Sequence, residues 1–271
     1  MSSIPAMDVD HTCPVMRAQD LGLLAGSPVT PSWCLSNWRE VIITLNPVVA
    51  TDRRLLLWEA GPLSVHYAPW DWVNTKARIM LVGITPGAFQ ATEALREAKA
   101  CLRAGCSAEE TLRRADATGS FAGPMRSNLV TMLDGIGLAE ALGVDSSARL
   151  FDTHHHLAAL CSAIDYPVFV NGQNYGGATP PLARDPVLRS LVRASLGARI
   201  AMTQNALVIP LGKAAQDAVA LLATGGLVRP GQCLTGFPHP SGANGHRARQ
   251  YVANREALAD QVARWAAAVA S

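Results

Sequence analysis

Apolar positions along this chain fall into two rhythms. Ile79–Val82, Arg149–Asp152, Val168–Val170, Ala206–Pro210 and Cys233–Phe237 are short, largely apolar runs of strand length bounded by polar or turn residues. Between them the period lengthens. Ala91, Ala94, Leu95, Ala98, Cys101 and Leu102 share one helical face, as do Leu129, Met132, Leu133 and Ile136, and Leu188, Leu191 and Val192, while Lys213–Leu222 and Arg255–Val269 complete the helical pattern. Local chemistry agrees: Ser107 with Glu110 forms a capping box, Gly137 ends the helix before it, and Asp185-Pro186 supplies an N-cap and a first helical residue. Strands alternating with helices predict an α/β fold, a single domain with a central, mostly parallel sheet of four to five strands flanked by helices. Residues 1–35, rich in Pro, Ser and Asp, lack a period, and Trp33 to Trp72 is Trp-rich and irregular. Residues 1–75 therefore read as an N-terminal extension packing on a core domain of residues 76–271, with no internal repeat.

The 271 residues are 49% apolar and 16% charged, enough to bury a full core. A net charge of +2 does not by itself point to nucleic acid, but residues 231–255 carry Arg247, Arg249, Arg255, His239 and His246 without an acid, which predicts a local basic face. No apolar run approaches membrane-spanning length and the first residues lack signal-peptide character, so a cytoplasmic protein without a membrane partner is expected. The cysteines, Cys13, Cys34, Cys101, Cys106, Cys161 and Cys233, include no C-x-x-C pair and are expected as reduced thiols. His154-His155-His156 has no Cys or acidic partner at ligand spacing, and three consecutive side chains cannot converge on one ion without strain, so no metal is predicted. One of these histidines, following the expected 149–152 strand, is instead a candidate for lining a pocket.

Two loops carry the chemistry. Gly83-Ile84-Thr85-Pro86-Gly87 follows the 79–82 run and His239-Pro240-Ser241-Gly242-Ala243-Asn244 follows the 233–237 run. Each precedes a helical pattern, so in a parallel sheet both sit at strand C-terminal ends, over one cleft. The first loop lacks the Lys-Ser/Thr of a phosphate-binding loop and the spacing of a dinucleotide fingerprint, which argues against nucleotide hydrolysis and NAD chemistry. On its own it reads first as a tight structural turn. His239 on its own is either a turn-filling residue or an imidazole placed to donate to an anion forming in the cleft.

In order with Ser120-Phe121-Ala122-Gly123 and Gly172-Gln173-Asn174-Tyr175-Gly176-Gly177-Ala178-Thr179-Pro180, the two loops make the chain resemble the uracil-DNA glycosylase superfamily. It is most similar to the single-strand-selective monofunctional branch, whose motifs read Gly-Met-Asn-Pro-Gly, Pro-Phe-Gly, Gly-Arg-Asn-Leu-Thr-Pro and His-Pro-Ser-Pro, and the likeness spans residues 76–265. The resemblance implies a monofunctional DNA glycosylase that flips a base from the stack and leaves an abasic site, with DNA as partner, no strand cleavage and no cofactor. Phe121 would stack on the base, Asn174 read its edge and His239 stabilise the departing anion, with Gly83, Ile84, Pro86 and Gly87 walling the base pocket. Ser241, Asn244, Arg247 and Arg249 would contact DNA phosphates, the alternative for the two arginines being a solvated helix face.

Thr85 stands where relatives commonly carry Asp or Asn to orient the attacking water, and its hydroxyl can bind a water but cannot act as a base near neutral pH. Water is therefore expected at Thr85, with Asp152 as a substitute carboxylate, or at an oxocarbenium-like sugar after dissociative departure of the base. Gly87 stands where the uracil-removing branch places a Tyr as a gate against C5 substituents, and with Ala88 beside it predicts room for a C5-modified pyrimidine, in repair or anti-phage defence. Plain uracil repair and an inactive DNA-binding relative are the rivals. A monomer is expected.

Overall fold

The computed structural model describes residues 34–229 and 231–270. The first 33 residues of the expected N-terminal extension, Cys13 among them, lie outside the described residues. Helix α1 (Leu35–Thr44) leads through a 3₁₀ turn into a hairpin, β1 (Leu56–Ala60) and β2 (Leu63–His66), and the chain then enters β3 (Ile79–Gly83). Helices α2 (Ala88–Arg103), α3 (Ala108–Gly119), α4 (Pro124–Asp134) and α5 (Leu138–Leu142) precede β4 (Ala158–Ser162), β5 (Val168–Val170) and β6 (Gln173–Asn174). Helix α6 (Pro186–Val192) continues through one π turn into α7 (Ala198–Met202), and β7 (Leu207–Pro210), α8 (Lys213–Ala223) and α9 (Arg247–Ala270) close the chain.

The fold is α/β, with a parallel sheet in the order β4-β3-β7 flanked by helices. Cys233 adds one parallel bridge to Val208, so the 233–237 segment, expected as a strand, pairs at a single residue. Gly236, at φ +93°, turns the backbone out of extended geometry before a longer ladder forms. Along β3, Met80 and Val82 face a core shared with α1, α2, α6 and α8, whereas Ile79 and Leu81 face a second core built with α4, α5 and α9. Burial on both faces is why this strand is apolar at every position instead of alternating.

A second sheet, β1-β2-β5-β6, is antiparallel throughout. It takes up Val168–Val170 because the β1–β2 hairpin offers that segment an edge, with Leu63 opposite Val170 and Val65 opposite Val168. The expected boundary at residue 75 therefore falls between two elements, β2 and β3, whose residues share one apolar core.

Arg149–Asp152 is not a strand. It ends a 3₁₀ helix (Ser147–Phe151) whose start is capped by local polar groups: Ser146 Oγ accepts the Ala148 N–H at 3.1 Å, and Asp134 accepts the Ser147 N–H at 2.6 Å and the Ser146 hydroxyl at 2.7 Å, while the Arg149 N–H reaches Ser146 O at 3.0 Å. Helix α9 starts at Arg247, ahead of the apolar period, since Ala248, Arg249, Gln250, Val252 and Ala253 in its first turns are solvent-exposed. Among the described residues, no helix is long and apolar enough to cross a membrane, and no group of His, Cys, Asp and Glu is arranged to hold a metal ion.

Candidate active site

The C-terminal end of the parallel sheet opens into a cavity of about 560 Å³. Its wall combines the Gly83–Gly87 loop after β3, the Phe121 turn between α3 and α4, Asn174 on β6, and His239, Ser241 and Asn244 from the segment before α9. Four fragments distant in sequence thus meet at one opening.

Burial holds the His239 imidazole below the usual histidine pKa. Its Nδ1 accepts the Ser241 N–H at 3.2 Å, so the neutral ring carries its proton on Nε2. The ring is positioned from several sides. Gly212, at φ +83° before α8, packs against the His239 backbone so tightly that a Cβ would lie 2.7 Å from the histidine Cβ and 3.2 Å from its Cα and N. Only glycine permits that approach in that conformation. Asn128 of α4 donates to the Pro240 carbonyl at 3.0 Å, Arg247 Nη1 to Ser241 O at 2.9 Å, and Asn244 Nδ2 to His239 O at 3.2 Å. Asn244 Oδ1 also accepts the His246 N–H, so both ends of that carboxamide serve the loop instead of facing outward to a phosphate. Arg247 likewise spends one nitrogen on the loop, Ser241 Oγ accepts the Ala243 N–H at 3.1 Å, and Arg249 is exposed.

Phe121 is buried and adopts a left-handed backbone, φ +53°. Such strain persists only where neighbours over-determine it. Ser120 donates to Asp116 Oδ1 at 2.8 Å and accepts the Trp70 indole N–H at 3.1 Å, while Asp116 Oδ2 lies 3.0 Å from His155 Nε2. Arg126 donates to Ser120 O at 2.6 Å, and the Phe151 ring meets Phe121 edge-on at 6.4 Å. The histidine triplet therefore does not line the cavity. It precedes β4, at the N-terminal end of the parallel sheet, where buried His155 anchors Asp116 and stacks against Trp72 at 5.1 Å.

Asn174 Oδ1 accepts the Ala88 N–H at 2.8 Å and so caps α2 from outside, a task that Gly87 at the N-cap position cannot perform. Its Nδ2 is turned toward the Gly87 side of the cavity.

Comparison of the sequence with known families matches the "Uracil DNA glycosylase superfamily" over residues 70–265, a span containing every cavity-lining segment. The chain belongs to this superfamily. It is similar to the uncharacterized protein YoxB of Bacillus subtilis (strain 168), 37% identical over 243 residues that cover 87% of this chain and 94% of that protein. No solved structure matches it.

Within this glycosylase-superfamily chain two expected residues stand differently from the motif reading. Thr85 Oγ1 donates to Tyr166 O at 2.6 Å and accepts the Val168 N–H at 3.1 Å, so its proton is committed to joining the β3 loop to the second sheet. Asp152 is exposed, bonds to the adjacent Thr153 hydroxyl at 2.8 Å and does not line the cavity, because the segment carrying it is a 3₁₀ end and not a strand terminus. No Asp or Glu lines the cavity among the described residues. Motif reading missed Gln90, Gly212 and Lys213. Gly212-Lys213 follows β7 as a third strand–loop–helix step, a signal present in the sequence; Lys213 lines the cavity, exposed and paired with Asp217 at 2.7 Å. Gln90 carried no such signal.

Proposed function

We propose that this chain is a monofunctional DNA glycosylase that extrudes a non-standard base, a C5-modified pyrimidine, and hydrolyses its glycosidic bond, in DNA repair or in defence against phages with modified bases. The observation that supports it most is a neutral His239 with its proton on Nε2 in the same cavity as Phe121 and Asn174. In this reading the base stacks on Phe121, Asn174 donates to its edge, and the His239 Nε2–H donates to the O2 oxygen as negative charge develops there. The glycosidic bond breaks with its electron pair going to the base, and water then adds to C1′ of the oxocarbenium-like sugar and releases a proton. Dissociative departure is favoured because Thr85 has its proton engaged and, among the described residues, no carboxylate lines the cavity. Arg249 and the nitrogens of Arg247 not bonded to the loop would meet phosphates. The likeness to the single-strand-selective branch belongs to this reading.

The same committed Thr85 favours one rival, a relative that binds DNA without turnover. The test uses single- and double-stranded oligonucleotides carrying one uracil, 5-hydroxymethyluracil or glucosylated 5-hydroxymethylcytosine, with alkali to reveal abasic sites. Base release that falls about 100-fold or more in His239→Ala is the expected result. Binding without release supports the rival, release confined to uracil overturns the modified-base reading, and strand breaks before alkali overturn the monofunctional one.

A further inference from the structure

Gln90, on the first turn of α2, turns its side chain into the cavity beside Gly87. Its Nε2 donates to the Ala122 carbonyl at 3.3 Å. That bond sets the orientation of the carboxamide, because the flipped form would place two oxygens against each other. Gln90 Oε1 therefore faces the space next to Gly87, 2.7 Å from where a Gly87 Cβ would stand. Asn174 is oriented from the other side by its bond to Ala88, and its Nδ2 lies 3.3 Å from that same point. The space left by the missing side chain at Gly87 is thus bordered by a fixed acceptor and a fixed donor.

In the proposed pose, with the base stacked on Phe121 and O2 at His239, the C5 carbon lies across the ring from O2, and we take it to face this pair, which walls the same cavity. Uracil and thymine offer one carbonyl oxygen there, plus a carbon-bound hydrogen or a methyl group. The carbonyl takes the Asn174 donor and leaves Gln90 Oε1 facing carbon. Leaving a desolvated acceptor without a donor lowers affinity about tenfold to a hundredfold.

We infer that the site selects a pyrimidine bearing a hydrogen-bond donor on its C4–C5 edge, a hydroxyl on a C5 substituent or a 4-amino group, and that Gln90 Oε1 is the specificity-determining acceptor. This rests on the cavity being a base pocket and sharpens that reading. Size alone at Gly87 would admit thymine, and the unpaired Gln90 oxygen is what disfavours it.

The experiment measures the Kd of the full chain for oligonucleotides with one central uracil, thymine, cytosine, 5-hydroxymethyluracil or 5-hydroxymethylcytosine, each on a 2′-fluorinated sugar that resists cleavage. Single-turnover release is followed from the unfluorinated versions. Wild-type protein is expected to bind 5-hydroxymethyluracil about tenfold to a hundredfold more tightly than uracil or thymine, and in Gln90→Leu that ratio falls to near one. Circular dichroism melting establishes that the variant is folded, and if it is not, the wild-type ranking decides alone. Equal binding of cytosine and 5-hydroxymethylcytosine assigns the donor to the 4-amino group, and preference for the latter assigns it to the hydroxyl. Uracil or thymine bound as tightly as the hydroxymethylated bases overturns the inference, as does a preference unchanged in the folded Leu variant. Selective binding without release leaves the inference standing and sinks the glycosylase reading, unselective release does the reverse, and absence of binding to every oligonucleotide sinks both.

Discussion

At the scale of single residues, His239 and Gly212 form one unit. The histidine stands out in the sequence as part of a recognisable motif, whereas the glycine that lets its backbone settle is one of twenty-two and acquires its role only through the fold. Adding a Cβ at Gly212 meets backbone atoms of His239 and a positive φ together, so neither a rotamer change nor a small shift relieves it. Gly212→Ala is expected to cost about 1–3 kcal/mol of stability and, by moving the imidazole, to lower base release about a hundredfold. Urea unfolding and single-turnover kinetics check this, and a variant with wild-type turnover would refute the positioning argument. The pH profile follows from the same ring. Burial depresses its pKa below 6.5, so the neutral, Nε2-protonated form persists as pH falls to about that value. Below 6.5 the unfolded chain takes up a proton that the folded one resists, so the stability this group contributes is lost as pH falls through the folded pKa. Base release is expected to stay level from pH 8 to 6.5 and to decline only at lower pH; a midpoint at or above 6.5 would contradict the buried neutral imidazole.

Among the elements, legibility followed how far each depends on its own residues. Helices with an apolar face and a cap, such as α3 behind Ser107 and α6 behind Asp185, could be read directly, since Ser107 accepts the Glu110 N–H and Asp185 accepts those of Val187 and Leu188. The Arg149–Asp152 segment misled because the 3₁₀ helix that it ends is fixed at its start, at Ser147, by Asp134, a residue outside the run. The Phe121 turn was legible as a motif and opaque as a geometry. Its left-handed conformation is held by Ser120, Asp116 and His155, which bring α3 and the turn before β4 together under the cavity. Removing the middle member leaves His155 and Ser120 buried without their shared partner, so Asp116→Ala is expected to destabilise the fold by about 1–3 kcal/mol. Because the strain at Phe121 is then less well opposed, affinity for a flipped base is expected to drop further than for undamaged single strands, as anisotropy with both oligonucleotides would detect. An equal drop for both would assign Asp116 to general stability alone.

Across the whole molecule, the link between the two sheets was the part least readable from sequence, because it is made by buried polar residues with no periodicity. Arg199 of α7 is 4% exposed and donates to Asp165 at 2.8 Å, to Trp72 O at 2.9 Å and to Trp70 O, tying the helical layer to the segment that joins the hairpin to β3. Beside it Asp71 accepts the Tyr67 and Tyr166 hydroxyls at 2.6 Å each, yet burial pushes its carboxyl up to about 7. Burial also raises Asp165, against the opposing pull of the Arg199 charge. Replacing Arg199 by Met keeps much of the volume and removes the positive charge, leaving Asp165 buried without its ion-pair partner. At pH 8 the loss is expected to be about 3–5 kcal/mol. As pH falls toward 5 the carboxyls freed from Arg199 can take up protons in the folded state, and a neutral acid is far cheaper to bury than an anion. The variant's deficit relative to the parent should therefore shrink on acidification, the opposite of the His239 contribution, which is lost in acid. Denaturant midpoints at pH 8 and pH 5 read the difference directly. A deficit of equal size at both would mean that Arg199 holds the Trp70–Trp72 segment through its carbonyl hydrogen bonds alone, with the Asp165 ion pair contributing nothing.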